Sequence, residues 1–194
     1  MDLEDQAQTD RLFAALGEQL AAQGASIELV VIGGSALLAI GLISRPTRDV
    51  DIVALLQAGQ LHDPRPLPEP VIAARDRVAR DFGLPTGWLN VGPASLLDFG
   101  LPDGFVERLE IRSYGPALRV HFASRFDQIH FKLYAMADGT AGKHEADLRD
   151  LNPSRDELIA AARWTQTHDP SEPFREELLK ALAALGVDDA ARDI

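Results

Sequence analysis

Cysteine is absent from the 194-residue chain, and its absence removes several classes of chemistry. Without thiols there is no disulfide framework, no cysteine-ligated zinc site and no cysteine nucleophile. Long apolar runs are also lacking, since no stretch approaches the roughly 18–20 residues that a helix needs to cross a bilayer. Because 46% of the residues are nonetheless hydrophobic, we expect a globular protein with a buried core and no membrane partner.

Basic residues are scarce relative to acidic ones. Lysine and arginine total 19 against 30 aspartates and glutamates, which gives a net charge of -11. This charge repels phosphate backbones at long range and argues against broad nucleic-acid binding, although it allows a local basic groove or a cationic substrate. The first ten residues, MDLEDQAQTD, are acidic and polar, the opposite of a secretory signal. We therefore expect a cytoplasmic protein.

Sequence patterns divide the chain into a mixed first part and a helical second part. The nearly continuous apolar run IELVVI at 27–32 is typical of a buried strand, and the apolar residues of 5–23 recur at helical spacing. Further patterns predict, in chain order, a helix at 35–43, a strand at 49–56, an irregular connection at 61–70, a helix at 71–82, a loop at 84–102, strands at 107–114 and 117–123, and helices at 127–137, 143–151, 155–166 and 173–185. We expect an α+β fold: a small mixed β-sheet flanked by helices, with a helical C-terminal half. In this prediction residues 126–194 pack on a core of residues 1–125 as one compact unit.

The tripeptide Gly33-Gly34-Ser35 stands where the first strand is expected to turn into a helix. Glycines let the backbone pass close to a ligand, and the N–H groups at a helix start attract phosphate. Alone, such a tripeptide is more often a tight turn. It is not a P-loop, because no Lys-Ser/Thr follows, and it lacks the third glycine of a dinucleotide fingerprint and the second glycine of a hydrolase nucleophile elbow.

Asp49 and Asp51 lie two positions apart in the second predicted strand, so their side chains point to the same face. Two adjacent carboxylates repel each other unless a cation neutralises them. Hard oxygen ligands suit Mg²⁺ or Mn²⁺, whose shell phosphate oxygens can complete. The pair alone is more often a solvated strand edge. Together with a phosphate cradle, however, it has the parts that nucleotidyl transfer requires.

The combination of these two motifs is specific. A hydrophobic residue, two glycines and Ser35 are followed, after thirteen residues, by Asp49-Val50-Asp51. This pattern resembles the signature of the nucleotidyltransferase superfamily that includes DNA polymerase beta. The preceding Thr47-Arg48 extends the resemblance to the small bacterial members, the minimal nucleotidyltransferases.

The resemblance implies an α/β-type nucleotidyltransferase fold for residues 1–125 and a Mg²⁺- or Mn²⁺-dependent reaction. In that reaction a nucleoside monophosphate passes from an NTP to an acceptor hydroxyl. Asp49 and Asp51 are the implied metal ligands and, with Lys132, the implied catalytic residues. The implied nucleotide-binding residues are Gly33, Gly34, Ser35, Arg48 and Lys132.

A second block, FDQIHFKLYAMADGTAGKHEADLRDL at 126–151, resembles a segment of the AbiEii-like abortive-infection toxins. By itself Lys132 is equally well interpreted as a surface lysine whose stem lies on apolar neighbours. In the related families it corresponds to a lysine that contacts nucleotide phosphates, and Asp147 or Asp150 corresponds to a downstream acid. The resemblance covers about residues 26–186, and it implies a tRNA 3′ end or a protein side chain as acceptor and a cognate antitoxin as partner.

One feature of the superfamily is missing from its usual place, a third carboxylate on a neighbouring strand. Glu110 and His121 are the candidates for this acid or base, and Asp127 is a further one that could instead cap a helix. We expect Glu110 or His121 on the sheet face of Asp49 and Asp51, with Glu110 preferred. Two alternatives follow: a degenerate module that binds nucleotide or a partner without catalysis, and a nucleotidyltransferase acting on a cationic small molecule such as an aminoglycoside, which the net charge favours.

Overall fold

The computed structural model describes residues 3–139 and 141–194. Its helices are α1 Gln6–Ala22, α2 Gly33–Ala39, α3 Glu69–Phe82, α4 Arg125–Ala137, α5 Ala141–Leu151, α6 Arg155–His168 and α7 Glu172–Ala184. Its strands are β1 Ile27–Ile32, β2 Val50–Gln57, β3 Gln60–His62, β4 Leu89–Asn90, β5 Glu110–Tyr114 and β6 Leu118–Phe122. The predicted α+β fold is confirmed. The chain divides into two compact units, Met1–Ser124 and Arg125–Ile194.

The first unit contains a six-stranded mixed sheet in the order β3-β2-β1-β6-β5, with β4 added beside β2. β1 lies in the centre of the sheet, antiparallel to β2 and parallel to β6. Its last four residues, 29–32, are all buried, which explains why its sequence is an apolar run and not an alternating pattern.

Helix α1 packs against β5 and β6 through its apolar side. The ring centroid of Phe13 lies 5.8 Å from that of Phe122 and 5.2 Å from that of Tyr114. The absence of a side chain at Gly17 lets the helix approach the strand closely. A methyl group added there would lie 2.2 Å from the carbonyl oxygen of Tyr114. The Tyr114 hydroxyl donates to Asp10 at 2.6 Å, and burial together with this carboxylate raises the pKa of Tyr114 above its ordinary value.

Short elements account for the differences between the predicted and the observed structure. β3 lies at the start of the connection predicted to be irregular, and β4 and a 3-10 helix, Gly92–Asp98, lie in the predicted loop. Helix α2 begins at Gly33, before its predicted start at 35, because the positive φ of +80° at this glycine turns the chain directly from strand into helix. It also ends early, shortly before a second left-handed glycine, Gly41.

The second unit consists of the four helices α4 to α7 and a short 3-10 turn, Ala190–Arg192. Helix α4 packs against the other three, and its residues 127–133 are buried on every side. Ser154 forms the N-cap of α6, and Glu157 completes a capping box with it. Glu157 also accepts from Arg125 at 2.6 Å, and this guanidinium lowers the pKa of Glu157 below its ordinary value.

No helix within the described residues combines the length and the apolar character that crossing a membrane requires.

Candidate functional site

The turn between β1 and α2 meets the start of β2 in the first unit. Ile32 is the register partner of Asp51, so the acid lies beside the end of β1. A methyl group added at Gly33 would lie 2.6 Å from Oδ2 of Asp51, which means that the glycine backbone and the carboxylate are in contact. The structure therefore brings the two halves of the sequence motif together.

The loop at 40–49 is held against the start of α2 at Thr47. The amide and carbonyl of Thr47 pair with the carbonyl and amide of Leu3 at 2.9 and 2.7 Å. A methyl group added at Gly34 would lie 2.9 Å from the Thr47 hydroxyl and 3.4 Å from the Arg45 guanidinium. Arg45 is thus the basic side chain next to the glycines, whereas Arg48, the predicted phosphate-binding residue, is exposed.

Asn90 orients the carboxylate of Asp51. The two residues are register partners across β4 and β2, and Asn90 Nδ2 donates to Asp51 Oδ1 at 3.0 Å. The side-chain oxygen Oδ1 of Asn90 in turn accepts from the backbone N–H of Gly92 at 2.9 Å. One oxygen of Asp51 is therefore held by Asn90, and the other faces Gly33. This role of Asn90 was not predictable from the sequence, because a two-residue strand shows no periodicity.

Asp49, Ser35 and Ile32 belong to the elements that meet at this point. Asp49 is half-buried and immediately precedes β2, so continued strand alternation puts it on the face of Asp51. Ser35 is fully buried, and its hydroxyl has no hydrogen-bond partner in the described part of the chain. Ile32, the N-cap of α2, has no side-chain acceptor for the first amides of the helix. Such a set of groups suits a phosphate and its bound cation.

Two carboxylates are the acidic component of this site. Among the described residues, no group of three or more histidine, aspartate and glutamate side chains is arranged to hold a metal ion. Asp49 and Asp51 could still hold Mg²⁺ or Mn²⁺, because these ions bind through one or two carboxylates when substrate phosphate oxygens and water fill the remaining positions.

Glu110 does not lie on the face of Asp51, contrary to the preferred expectation. It is the register partner of Phe122, whose ring packs on Phe13 of α1, and the Glu110 side chain is exposed. The face of a strand residue follows from its register, and a shift of one residue reverses it. Glu110 is therefore excluded as a third acid on the Asp51 face.

His121 does lie on that face, because its register partner on β1 is Val30 and that of Asp51 is Ile32, two positions further along the same strand. It is buried, and its Nε2 atom lies 2.7 Å from a carboxylate oxygen of Glu28. β1 lies between β6 and β2, so two inter-strand spacings, about 10 Å, separate the strands of His121 and Asp51. His121 thus interacts with Glu28 on the correct face but not beside the aspartates.

The remaining predicted residues lie in the second unit. Lys132 forms an ion pair with Asp147 at 2.6 Å, and the two side chains are only 5% and 0% exposed. Lys132 is therefore a buried lysine and not a surface one, and Asp147, not the exposed Asp150, is the acid associated with it. Asp127 is fully buried in the first turn of α4.

A first prediction tests the contact between Gly33 and Asp51. Gly33→Ala and Gly41→Ala are both expected to lower the free energy of unfolding by about 1–2 kcal/mol, since both glycines have left-handed backbones. Only Gly33→Ala should displace the Asp51 carboxylate, because nothing lies within 4 Å of a methyl group at Gly41. The measurement is the NMR shift of the Asn90 side-chain amide, and an unchanged shift in Gly33→Ala would contradict the described contact.

Comparisons of the chain with models of known protein families, with curated protein sequences and with solved structures give no significant match. A functional conclusion therefore depends on the residues of the site.

Proposed function

We propose that the protein is a nucleotidyltransferase that transfers a nucleoside monophosphate from an NTP to an acceptor hydroxyl in the presence of Mg²⁺ or Mn²⁺. The observation that carries the proposal is the contact between Gly33 and the carboxylate of Asp51. It combines, in one place, a helix start suited to phosphate and an acid suited to a hard cation. The resemblance of the two motifs to the polymerase-beta-like superfamily supports the same reaction.

Each residue of the site has a role in this proposal. The backbone amides of Gly33 and Gly34 and the hydroxyl of Ser35 would bind the β- and γ-phosphates. Asp49 and Asp51 would hold the cation, which when bound neutralises phosphate charge and aligns the triphosphate with the acceptor. Asn90 would keep the Asp51 carboxylate in one orientation through its 3.0 Å hydrogen bond.

Lys132 is proposed, from the resemblance of the second block, to neutralise the triphosphate as pyrophosphate leaves. The same resemblance supports a tRNA 3′ end or a protein side chain as the acceptor, and a toxin whose partner is an antitoxin. The net charge of -11 favours instead an acceptor that is a small cation, for example an aminoglycoside.

A second candidate function is nucleotide binding without catalysis. The acceptor hydroxyl needs a base or a metal-bound position before it attacks the α-phosphate. Glu110 lies on the opposite face and His121 interacts with Glu28, so neither predicted residue supplies a base next to Asp51. This geometry favours a module that retains the phosphate site but has lost transfer.

The decisive experiment separates binding from transfer. Each α-labelled NTP is incubated with the protein, Mg²⁺ and, in parallel, total tRNA, an aminoglycoside or no added acceptor, and the products are separated on denaturing gels. We expect label in one acceptor with the parent protein and none with Asp51→Asn. Calorimetric binding of an NTP without transfer to any acceptor would support the second candidate, and absence of binding for all four NTPs would overturn both.

The aspartates give a second prediction, on stability. Without metal, Asp49→Asn and Asp51→Asn should each leave the melting temperature unchanged or raise it, because one of two neighbouring negative charges is removed. Both variants should lose Mg²⁺-dependent binding of ATP in calorimetry. A large drop of the melting temperature in both metal-free variants would instead assign the aspartates a structural role.

A further inference from the structure

Strand β5 forms an open edge of the sheet. It is the last strand in the order, and among the described residues it pairs with β6 alone. Outside that ladder, no backbone–backbone hydrogen bond among the described residues involves Glu110–Tyr114. The outer edge therefore presents unpaired N–H and C=O groups, which are a template for pairing with another strand. The opposite edge is blunted, because β3 has three residues and β4 has two.

An apolar side chain stands in the middle of this edge strand. Ile111 is 61% exposed, and Phe99 is the other large apolar residue of the described chain with comparable exposure. β5 contains no proline and no lysine, and its pairing with β6 runs without a register shift. Proline, lysine and β-bulges are three of the devices by which edge strands avoid association, and β5 lacks all three. The strand is thus suited to a partner that covers Ile111.

The charges on either side of Ile111 indicate which partner fits. In an antiparallel pair of two β5 strands with Ile111 opposite its own copy, Glu110 of each chain lies opposite Arg112 of the other. Opposite charges at facing positions stabilise a strand pair, and like charges destabilise it. The alternative pairing centred on Arg112 puts two guanidinium groups opposite each other. The sequence of the strand is therefore complementary to itself in one register.

Arg112 is already positioned for this contact. Its guanidinium carbon lies 5.7 Å from the centroid of the Phe122 ring, and its Nη1 atom lies 3.5 Å from Asp10. Because these contacts restrict the side chain before association, less conformational entropy remains to be lost when Glu110 of a second chain approaches. Glu110 itself is exposed on the same face of the sheet, two positions away.

We propose that β5 is a dimerisation strand: two copies of the chain pair their β5 strands antiparallel about Ile111, which joins their two sheets into one. The partner is a second copy of this chain, and the contact lies outside the proposed nucleotide site. A five-residue strand buries less surface than the roughly 1,200–2,000 Å² of a standard interface, so the dimer is expected to depend on concentration.

The test is sedimentation velocity of the full chain across a hundredfold range of concentration. The weight-average mass of the parent should rise from 21.1 kDa towards twice that value. Glu110→Arg, which puts two arginines opposite each other, should raise the dissociation constant at least tenfold. The double variant Glu110→Arg with Arg112→Glu restores opposite charges and should restore dimerisation. Glu107→Arg, the same exposed charge change outside β5, is the matched control and should behave as the parent.

A second variant keeps the proposal testable if the charge swap disturbs the contacts of Arg112. Ile111→Lys changes only an exposed side chain and should give a folded monomer, as judged by circular dichroism. A parent that stays monomeric at every concentration would overturn the proposal and leave the edge for a strand of another protein. A dimer that survives both Glu110→Arg and Ile111→Lys would also overturn it, because the contact would then lie elsewhere.

Discussion

Lys132→Ala is expected to lower the free energy of unfolding by about 3–5 kcal/mol, the loss typical of removing one partner from a buried ion pair. Lys132 and Asp147 are 2.6 Å apart, and the side chain of Asp147 is fully buried. Alanine leaves that carboxylate in a medium of low polarity without the ammonium that compensates its charge. The measurement is equilibrium unfolding in urea at neutral pH.

Two comparisons distinguish a buried ion pair from a solvent-exposed ion pair. Lys132→Met combined with Asp147→Leu removes both charges, so it should lose much less stability than Lys132→Ala alone. Lys180 also has a partner, Glu177, at 2.7 Å, but both side chains are largely exposed, so Lys180→Ala should leave stability unchanged within error. Equal losses for Lys132→Ala and Lys180→Ala would contradict the assignment of a buried ion pair.

The same variant bears on the proposed role of Lys132 in phosphate binding. A lysine paired with Asp147 must loosen that contact before it can contact a triphosphate. If it does so, Lys132→Ala should weaken the binding of ATP more than that of adenosine, measured at a temperature where the variant is folded. Identical ATP affinity in the variant and the parent would assign the lysine to stability alone.

Gly17→Ala is the other substitution with a large expected effect, a loss of about 3 kcal/mol at the upper end of the range for overpacking. Alanine is the better helix former by about 1 kcal/mol, so propensity alone predicts a gain. The added methyl group, however, would lie 2.2 Å from the carbonyl oxygen of Tyr114 and 3.4 Å from Cβ of Leu118. The nearest atom belongs to the backbone of β5, so helix and strand must move apart.

Gly87→Ala is the matched control, because nothing lies within 4 Å of the added methyl group and the glycine does not have a left-handed backbone. Its effect should be neutral or slightly stabilising, since alanine reduces the freedom of the unfolded chain. Thermal unfolding of both variants measures the difference. A Gly17→Ala protein as stable as the Gly87→Ala protein would show that α1 does not approach β5 as described.

Long, strongly patterned segments were predictable from the sequence, and short ones were not. The bounds of β1 were predicted to the residue, because five of its six positions are apolar and four of them are β-branched, which leaves little alternative. β3 and β4 are too short for their hydrophobic residues to show a periodicity. Both form strands by pairing with β2, which lies far from β4 in the sequence. The early start of α2 depends on the left-handed backbone conformation of Gly33. A glycine can adopt this conformation but need not, so the sequence alone did not predict it.

The candidate site was predictable where its parts are close in sequence. Gly33 and Asp51 belong to one local motif, and the structure places them in contact. Asn90 was not predicted as a site residue, because its approach to Asp51 depends on a strand pairing across about forty residues. Glu110 lies between the apolar residues Leu109 and Ile111, a pattern that favours a functional acid on a buried strand. Ile111 is nevertheless exposed, so apolar neighbours in the sequence did not show which face of the strand is buried.

The central strand pair of the sheet has a consequence for how the chain acquires its structure. β1 and β6 are neighbours, yet 85 residues separate the end of β1 at Ile32 from the start of β6 at Leu118. Closing so long a segment costs entropy before the new contacts repay it, and folds rich in distant contacts fold slowly. During synthesis on the ribosome, β1 can pair with β2 early but must wait for β6. Until β6 has been synthesised, the edge of β1 that pairs with β6 in the folded protein stays open. Mispairing between nascent chains is expected to begin at that edge.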